Sequence, residues 1–209
     1  MPDYWERRVA LLQKQKLKPR EPIQEAGSVL QLASIVTESI VDGPGLRYVV
    51  FTQGCPHRCP GCHNPQTHLP LGGTSYTHDE VLDDYLRHPA SRGITLSGGE
   101  PFEQAEALAK LAQAVQAHGD TVMTYTGYRW AALQKRAMTD LGVRALLVAT
   151  DLLIDGRFLL EFKSLEAPFV GSTNQRLIAC SPAGNALIDA IPLGAESPRI
   201  ERIRYPSAP

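Results

Sequence analysis

From residue 28 onward the chain alternates short apolar runs with amphipathic ones, and that alternation limits its fold more than any other feature. VLQLASIV (29–36), RYVVFTQ (47–53), GITLS (93–97), TVMTYT (121–126), VRALLVAT (143–150) and QRLIACS (175–181) have the length and composition of strands. Between them lie helical patterns. THDEVLDDYLRH (77–88) opens with Thr77 and Glu80 in capping-box spacing and stops before Pro89. EQAEALAKLAQAVQAH (103–118) places Leu108, Leu111, Ala112 and Val115 on one face and stops at Gly119. YRWAALQKRAM (128–138) and DGRFLLEFKS (155–164) read as shorter helices. Strands joined by helical crossovers argue for a parallel sheet. In such sheets ligands bind beyond the carboxyl ends of the strands.

At 209 residues the chain has room for one domain and a sizeable core. A net charge of −1 gives no basic field, which argues against nucleic acid or an anionic membrane as partner. No apolar run approaches the ~20 residues that span a bilayer. The start, MPDYWERRVALLQKQK, is too charged for a secretory signal, so the expected location is cytoplasmic. Residues 1–27 read as an extension: a helix from Asp3 to about Lys16 with Trp5, Val9 and Leu12 on one face, then the linker KPREPIQEAG. The domain proper is 28–209.

Three of the four cysteines crowd into FTQGCPHRCPGCHNP (51–65), directly after a predicted strand. Cys55, Cys59 and Cys62 form a C-x3-C-x2-C loop. Pro56, Pro60 and Gly61 favour a tight irregular wrap that lets three thiolates face one centre. Such a set suits an iron–sulfur cluster or zinc. A closed zinc site needs a fourth ligand, for which His57, His63 or Cys180 are the candidates. An iron–sulfur cube held by three cysteines leaves one iron open to a substrate. Both readings stand on spacing alone. Cys180 lies in an apolar strand and reads as a buried free thiol.

SGGEP (97–101), TGY (126–128) and Asp151 each follow a predicted strand, so all fall on the same rim as the cysteines. Two glycines let a ligand lie against bare backbone, and Glu100 adds a charge that can hold an ammonium or orient the loop. VDGPGLR (41–47) and VGSTNQR (170–176) read equally as polar turns or as functional loops.

The cysteine loop with a downstream GGEP resembles the radical S-adenosylmethionine (SAM) superfamily. ESIVDGPGLRYVVFTQGCPHRCPGCHNPQT, TLSGGEPF, YTGY, DLLIDGRF and VGSTNQRLI together resemble the activating proteins of anaerobic ribonucleoside-triphosphate reductase, over about 38–178. The resemblance implies an α/β fold, a partial (βα)6 radical SAM barrel open on one side, with an N-terminal helical extension. It implies that Cys55, Cys59 and Cys62 hold a [4Fe–4S] cluster whose fourth iron takes the amino and carboxylate groups of SAM. Gly98, Gly99 and Glu100 would contact the methionine part. Backbone at Gly61, Cys62 and His63 would lie near the adenine, with Asn64 close by. Thr126 and Asp151 would touch the ribose or amino group, and VDGPGLR would lie near the partner-facing mouth, where Arg47 would meet an acidic group. Many superfamily members carry an aromatic residue just before the third cysteine; here it is Gly61.

The implied reaction is one-electron cleavage of SAM to methionine and a 5′-deoxyadenosyl radical, which takes a hydrogen from a glycine of the reductase. An electron donor such as a flavodoxin or ferredoxin is implied with it. Two other readings remain: radical SAM chemistry on another glycyl-radical enzyme or a small molecule, and a non-catalytic metal-binding module.

Overall fold

The computed structural model describes residues 29–192, 194 and 196–203, so the expected helix and linker of 1–27 lie outside the described residues. Eight strands form one sheet: β1 (Val29–Ser39), β2 (Arg47–Thr52), β3 (Thr74–Thr77), β4 (Gly93–Gly98), β5 (Thr121–Thr126), β6 (Leu152–Asp155), β7 (Arg176–Ala179) and β8 (Arg199–Arg202). Their order is β3-β1-β2-β4-β5-β6-β7-β8. The centre, β2-β4-β5-β6, is parallel. β1 joins β2 and β3 antiparallel on one side, and β7 joins β6 antiparallel on the other. The expected α/β sheet is present. Its parallel run is four strands long rather than six.

The helices are α1 (His78–Leu86), α2 (Ala105–Ala117), α3 (Trp130–Arg136), α4 (Leu141–Val148) and α5 (Pro182–Asp189). Thr77 and Glu80 close the predicted capping box on α1, with both hydrogen bonds made. α2 buries Leu108, Leu111, Ala112 and Val115, the face its periodicity marks. These side chains join Tyr48, Val50, Ile94, Leu96 and Val122 from the central strands in one core. Among the described residues no helix is long and apolar enough to cross a membrane.

Two predicted elements differ. VRALLVAT is not a strand: Val143–Val148 belongs to α4, and the strand is the LLID that follows. Asp140 caps α4 by accepting from Val143 N at 3.0 Å, and Val143, Leu146 and Leu147 face the core at helical spacing. A dense apolar run fits strand and buried helix alike, and here the cap decides. The shift carries Asp151 to the entry of β6, opposite the cysteine rim. There its Oδ2 accepts from Val122 N at 2.8 Å and its other oxygen from the Ser181 hydroxyl. Asp151 therefore ties strands together, and the expected ribose contact is corrected. DGRFLLEFKS is not a helix either; after β6 it runs irregularly, with one 3-10 turn at Leu160–Phe162.

Arg47 also departs from expectation. It starts β2, at the end of the sheet opposite the cysteines, and is 1% exposed. Its guanidinium donates to Thr95 Oγ1 (3.1 Å), Ile94 O (2.5 Å), Thr121 Oγ1 (2.6 Å) and Thr121 O (3.2 Å). All four acceptors are neutral, and burial lowers its pKa to about 10. Arg47 thus laces the N-terminal ends of β4 and β5 to β2 and does not reach a partner-facing mouth. Replacing it with Met keeps the apolar stem and strands these acceptors. Arg47→Met is expected to cost about 2–3 kcal/mol, seen as a lower urea midpoint at an unchanged m-value.

Candidate cluster and cofactor site

The chain leaves β2 at Thr52 and wraps at once. Gly54 (φ 94°), Arg58 (φ 46°) and Gly61 (φ 72°) take left-handed backbone, which bends the loop tightly on itself. Its base is closed by Gly54 N to Thr67 O (2.8 Å) and Cys55 N to His68 O (3.2 Å). The Gln53 amide donates to Leu69 O (2.6 Å) and Gln66 O (3.2 Å) from below. Cys55, Cys59 and Cys62 are all free thiols and all half-buried. Burial pushes the Cys55 and Cys59 thiols up. Backbone N–H groups act the other way: those of His57 and Arg58 on Cys55, and that of Phe158 on Cys59. Asn64 N donates to Cys62 Sγ at 3.4 Å. Such N–H donors favour thiolate and tune a bound cluster.

The glycine motif sits beside this loop, for a reason the sequence did not reveal. A Cβ on Gly98 would lie 2.5 Å from Thr52 N, and one on Gly99 would lie 2.3 Å from Gly54 O. The two glycines are required because the backbone leaving β2 presses on them. Gly99 N donates to Thr52 O (2.8 Å) and Glu100 N to Gly54 O (2.9 Å), so these donors are taken by the protein rather than offered to a ligand.

The Glu100 side chain turns into the protein and is absent from the cavity lining, which corrects the expected contact of its carboxylate with the methionine part of SAM. Its carboxylate is fully buried. Oε1 accepts from Phe102 N (3.0 Å) and Thr126 Oγ1 (2.9 Å). Oε2 accepts from Gly127 N (2.8 Å) and pairs with His57 Nε2 (2.9 Å). The His57 ring fills the space beside Gly127, where a Cβ would come within 2.2 Å of Cδ2. Tyr128 packs edge-on against it at 4.5 Å. Glu100 therefore orients loops, the second of its two expected roles.

A cavity of about 490 Å³ opens at this rim. Cys55, Cys59, Cys62, His63, Asn64, Ser97, Gly98, Gly99 and Thr126 line it, which brings together most of the sequence-predicted set. Gly61 and Glu100 are not among its lining residues. The lining adds Arg157 and Phe158, which sequence reasoning missed, and Gly171 and Gln175 of the VGSTNQR segment, which it left as a turn or a functional loop. The signal for the first pair was the LLID strand: once β6 ends at Asp155, GRF falls on the rim.

The thiols fit an iron–sulfur cluster better than a closed zinc site. Of the possible fourth ligands, His57 is held by Glu100, and His63 packs against Phe158 with ring centroids 5.1 Å apart. Cys180 is wholly buried in the core with Leu153 and Ile178. Among the described residues no three His, Cys, Asp or Glu side chains converge on a single metal ion. Three thiols from one loop on the wall of a ligand-sized cavity suit a cluster that keeps one iron for a ligand. Fold and site thus define an iron–sulfur protein with a small-molecule site beside the cluster.

Residues 41–178 match the family described as "4Fe-4S single cluster domain". The anaerobic ribonucleoside-triphosphate reductase-activating protein of Escherichia coli (strain K12) is 33% identical over 144 residues, covering 65% of this chain and 90% of that protein. The pyruvate formate-lyase-activating enzyme of Clostridium pasteurianum is 39% identical over 104 residues, 47% of this chain and 44% of that one. The crystal structure of QueE from Escherichia coli matches 47% of this chain and 52% of its own, at 17% identity and a TM-score of 0.40. The chain belongs to the 4Fe-4S single cluster domain family, in the branch of the radical SAM superfamily that contains the anaerobic reductase-activating proteins. It is a radical SAM enzyme, and its cofactors are a [4Fe–4S] cluster and SAM.

Two outcomes follow from this geometry. Cys59→Ala should leave no stable [4Fe–4S] cluster after anaerobic reconstitution, checked by iron content and the visible absorption band. Glu100→Gln sets an amide N–H₂ against the donors of Gly127 and His57. It should lower stability by about 2–3 kcal/mol in chemical denaturation and reduce iron retention, although it removes no iron ligand.

Proposed function

We propose that this chain activates an anaerobic ribonucleoside-triphosphate reductase, and that its sheet is a partial radical SAM barrel open on one side. The observation that carries the reading is the shared cavity: three cluster thiols and the end of the glycine-motif strand line one space. The mouth bears exposed apolar side chains, with Val41 72% and Leu165 87% exposed. Cys55, Cys59 and Cys62 hold the cluster. Gly98, Gly99 and Thr126 take the amino-acid end of SAM, and His63 and Asn64 stand beside its adenine. A cluster held by these thiols would supply the one-electron chemistry that cleaves SAM reductively, for hydrogen abstraction from a backbone glycine of the reductase. The protein's contribution is placement and exclusion of water. Glu100 and His57 fix the loops that set this placement. A flavodoxin or ferredoxin is the proposed electron donor.

The match to a pyruvate formate-lyase-activating enzyme favours one second reading, a different glycyl-radical enzyme as target. The deciding experiment is electron paramagnetic resonance on the anaerobically reconstituted, reduced protein, with and without SAM and then with each purified target. A cluster signal that shifts with SAM, followed by a glycyl doublet on the reductase, is expected. A doublet only on the formate-lyase supports the second reading. A cluster indifferent to SAM would leave only a metal-binding module.

A further inference from the structure

Phe158 is an aromatic side chain outside both hydrophobic cores. It is partly exposed, and it lines the cavity next to the cysteine loop. Its ring lies between glycines of two separate loops. A Cβ on Gly61 would come within 3.4 Å of Phe158 Cε1. A Cβ on Gly171 would come within 3.0 Å of Phe158 Cδ2 and 3.2 Å of His63 Cε1. Gly171 has no left-handed backbone to demand glycine, so its bare Cα makes room for this ring pair. His63 stands at 49° to Phe158, and the two rings form a corner on the cavity wall.

The backbone on both sides of Phe158 is pinned by one polar cassette. Gln175 Nε2 donates to Gly156 O (3.0 Å), Asn174 Nδ2 to Arg157 O (2.9 Å), and Leu159 N to Ser172 Oγ (3.2 Å). Gln175 Oε1 in turn accepts from Gly171 N (2.9 Å) and Ser172 N (3.2 Å). A helix or strand would hold its residues by its own ladder. Here side chains of 172–175 do that work, and the product is a ring fixed on the cavity wall. Of the other aromatic residues on the cavity wall, Tyr125 and Phe169 pack on the second core, with the Tyr125 hydroxyl donating to Phe169 O (2.7 Å), and Phe51 lies within β2 rather than in the loops at the rim.

We propose that Phe158 is the stacking platform for the adenine of SAM, and that the GSTNQ segment exists in part to hold it there. Of the ligand's parts only the adenine has a π-face. The thiols fix its amino-acid end at the cluster, and the Phe158–His63 corner adjoins Cys59 and Cys62 on the same wall. Stacking a base on an aromatic side chain contributes enough to be measured by truncation. The inference rests on the proposed SAM site and names a specificity residue within it.

The test is binding rather than turnover. Reconstituted full-length protein is titrated with SAM and, separately, with methionine, which shares the amino-acid end and lacks the adenine. Perturbation of the cluster's paramagnetic signal reports both. Phe158→Leu should weaken SAM roughly 5- to 100-fold and leave methionine unchanged, and Phe158→Trp should restore SAM. Gly171→Ala keeps Phe158 but pushes its ring, and should also weaken SAM selectively. If Phe158→Leu loses its cluster, Gly171→Ala decides. SAM affinity within twofold of wild type in the cluster-loaded variants, or equal loss for SAM and methionine, overturns the proposal. A wild-type protein that binds neither overturns the SAM site itself.

Discussion

Everything at the rim depends on one buried carboxylate. Glu100 has no exposure, and each of its oxygens accepts two hydrogen bonds. The donors come from three places: its own turn, the end of β5 with the residue that follows it, and the cysteine loop. A carboxylate in a low-dielectric interior is tolerated only when its acceptors are satisfied in this way. The consequence is geometric. The loops after β2, β4 and β5 cannot shift independently, because each would abandon a buried charge. Thiols on one loop and glycines on another therefore keep a fixed separation across the cavity.

The same economy of space explains the glycines. Gly98 and Gly99 are pressed against Thr52, Phe51 and Gly54, so the strand ends approach more closely than any side chain allows. Close approach brings Cys55 within reach of the cavity wall that the β4 end forms. The radical chemistry proposed for this site would need such rigidity more than acid or base groups. The His57 ring is held on three sides, by Glu100, Gly127 and Tyr128, although it sits between two cysteines of the loop.

Much of this was legible in the sequence, and the failures have physical reasons. C-x3-C-x2-C, SGGEP and TGY each followed a predicted strand, so their convergence was readable from periodicity. The thiol loop, the glycines and Thr126 do share one wall. The role of Glu100 was only half-readable, because its partners come from 43, 26 and 27 residues away and leave no local pattern. VRALLVAT misled because eight apolar-rich residues suit a buried strand as well as a buried helix; the Asp140 cap was the discriminating signal. That slip moved Asp151 onto the wrong end of the sheet and hid Phe158. Arg47 misled differently: the resemblance put its segment near a partner-facing mouth, and only the fold shows four neutral oxygens around its guanidinium.

The segment after β6 shows how a fold can place side chains that regular structure cannot. Residues 156–165 lack a continuous ladder, yet they are ordered by hydrogen bonds donated by Asn174 and Gln175, by one that Ser172 accepts from Leu159 N, and by the backbone pairs Thr173 N to Phe162 O (2.9 Å) and Ser164 N to Gly171 O (3.2 Å). Phe158 turns to the cavity while Leu160 and Leu165 are left 56% and 87% exposed. A helix would distribute these side chains around its axis at a fixed angle per residue, and a strand would alternate them. Neither would set one ring on the cavity wall and leave several apolar side chains at its edge. Each side-chain tether contributes only about 1 kcal/mol, so the arrangement depends on several of them acting together. That dependence gives a physical reason for a polar GSTNQ run to stand directly before an apolar strand.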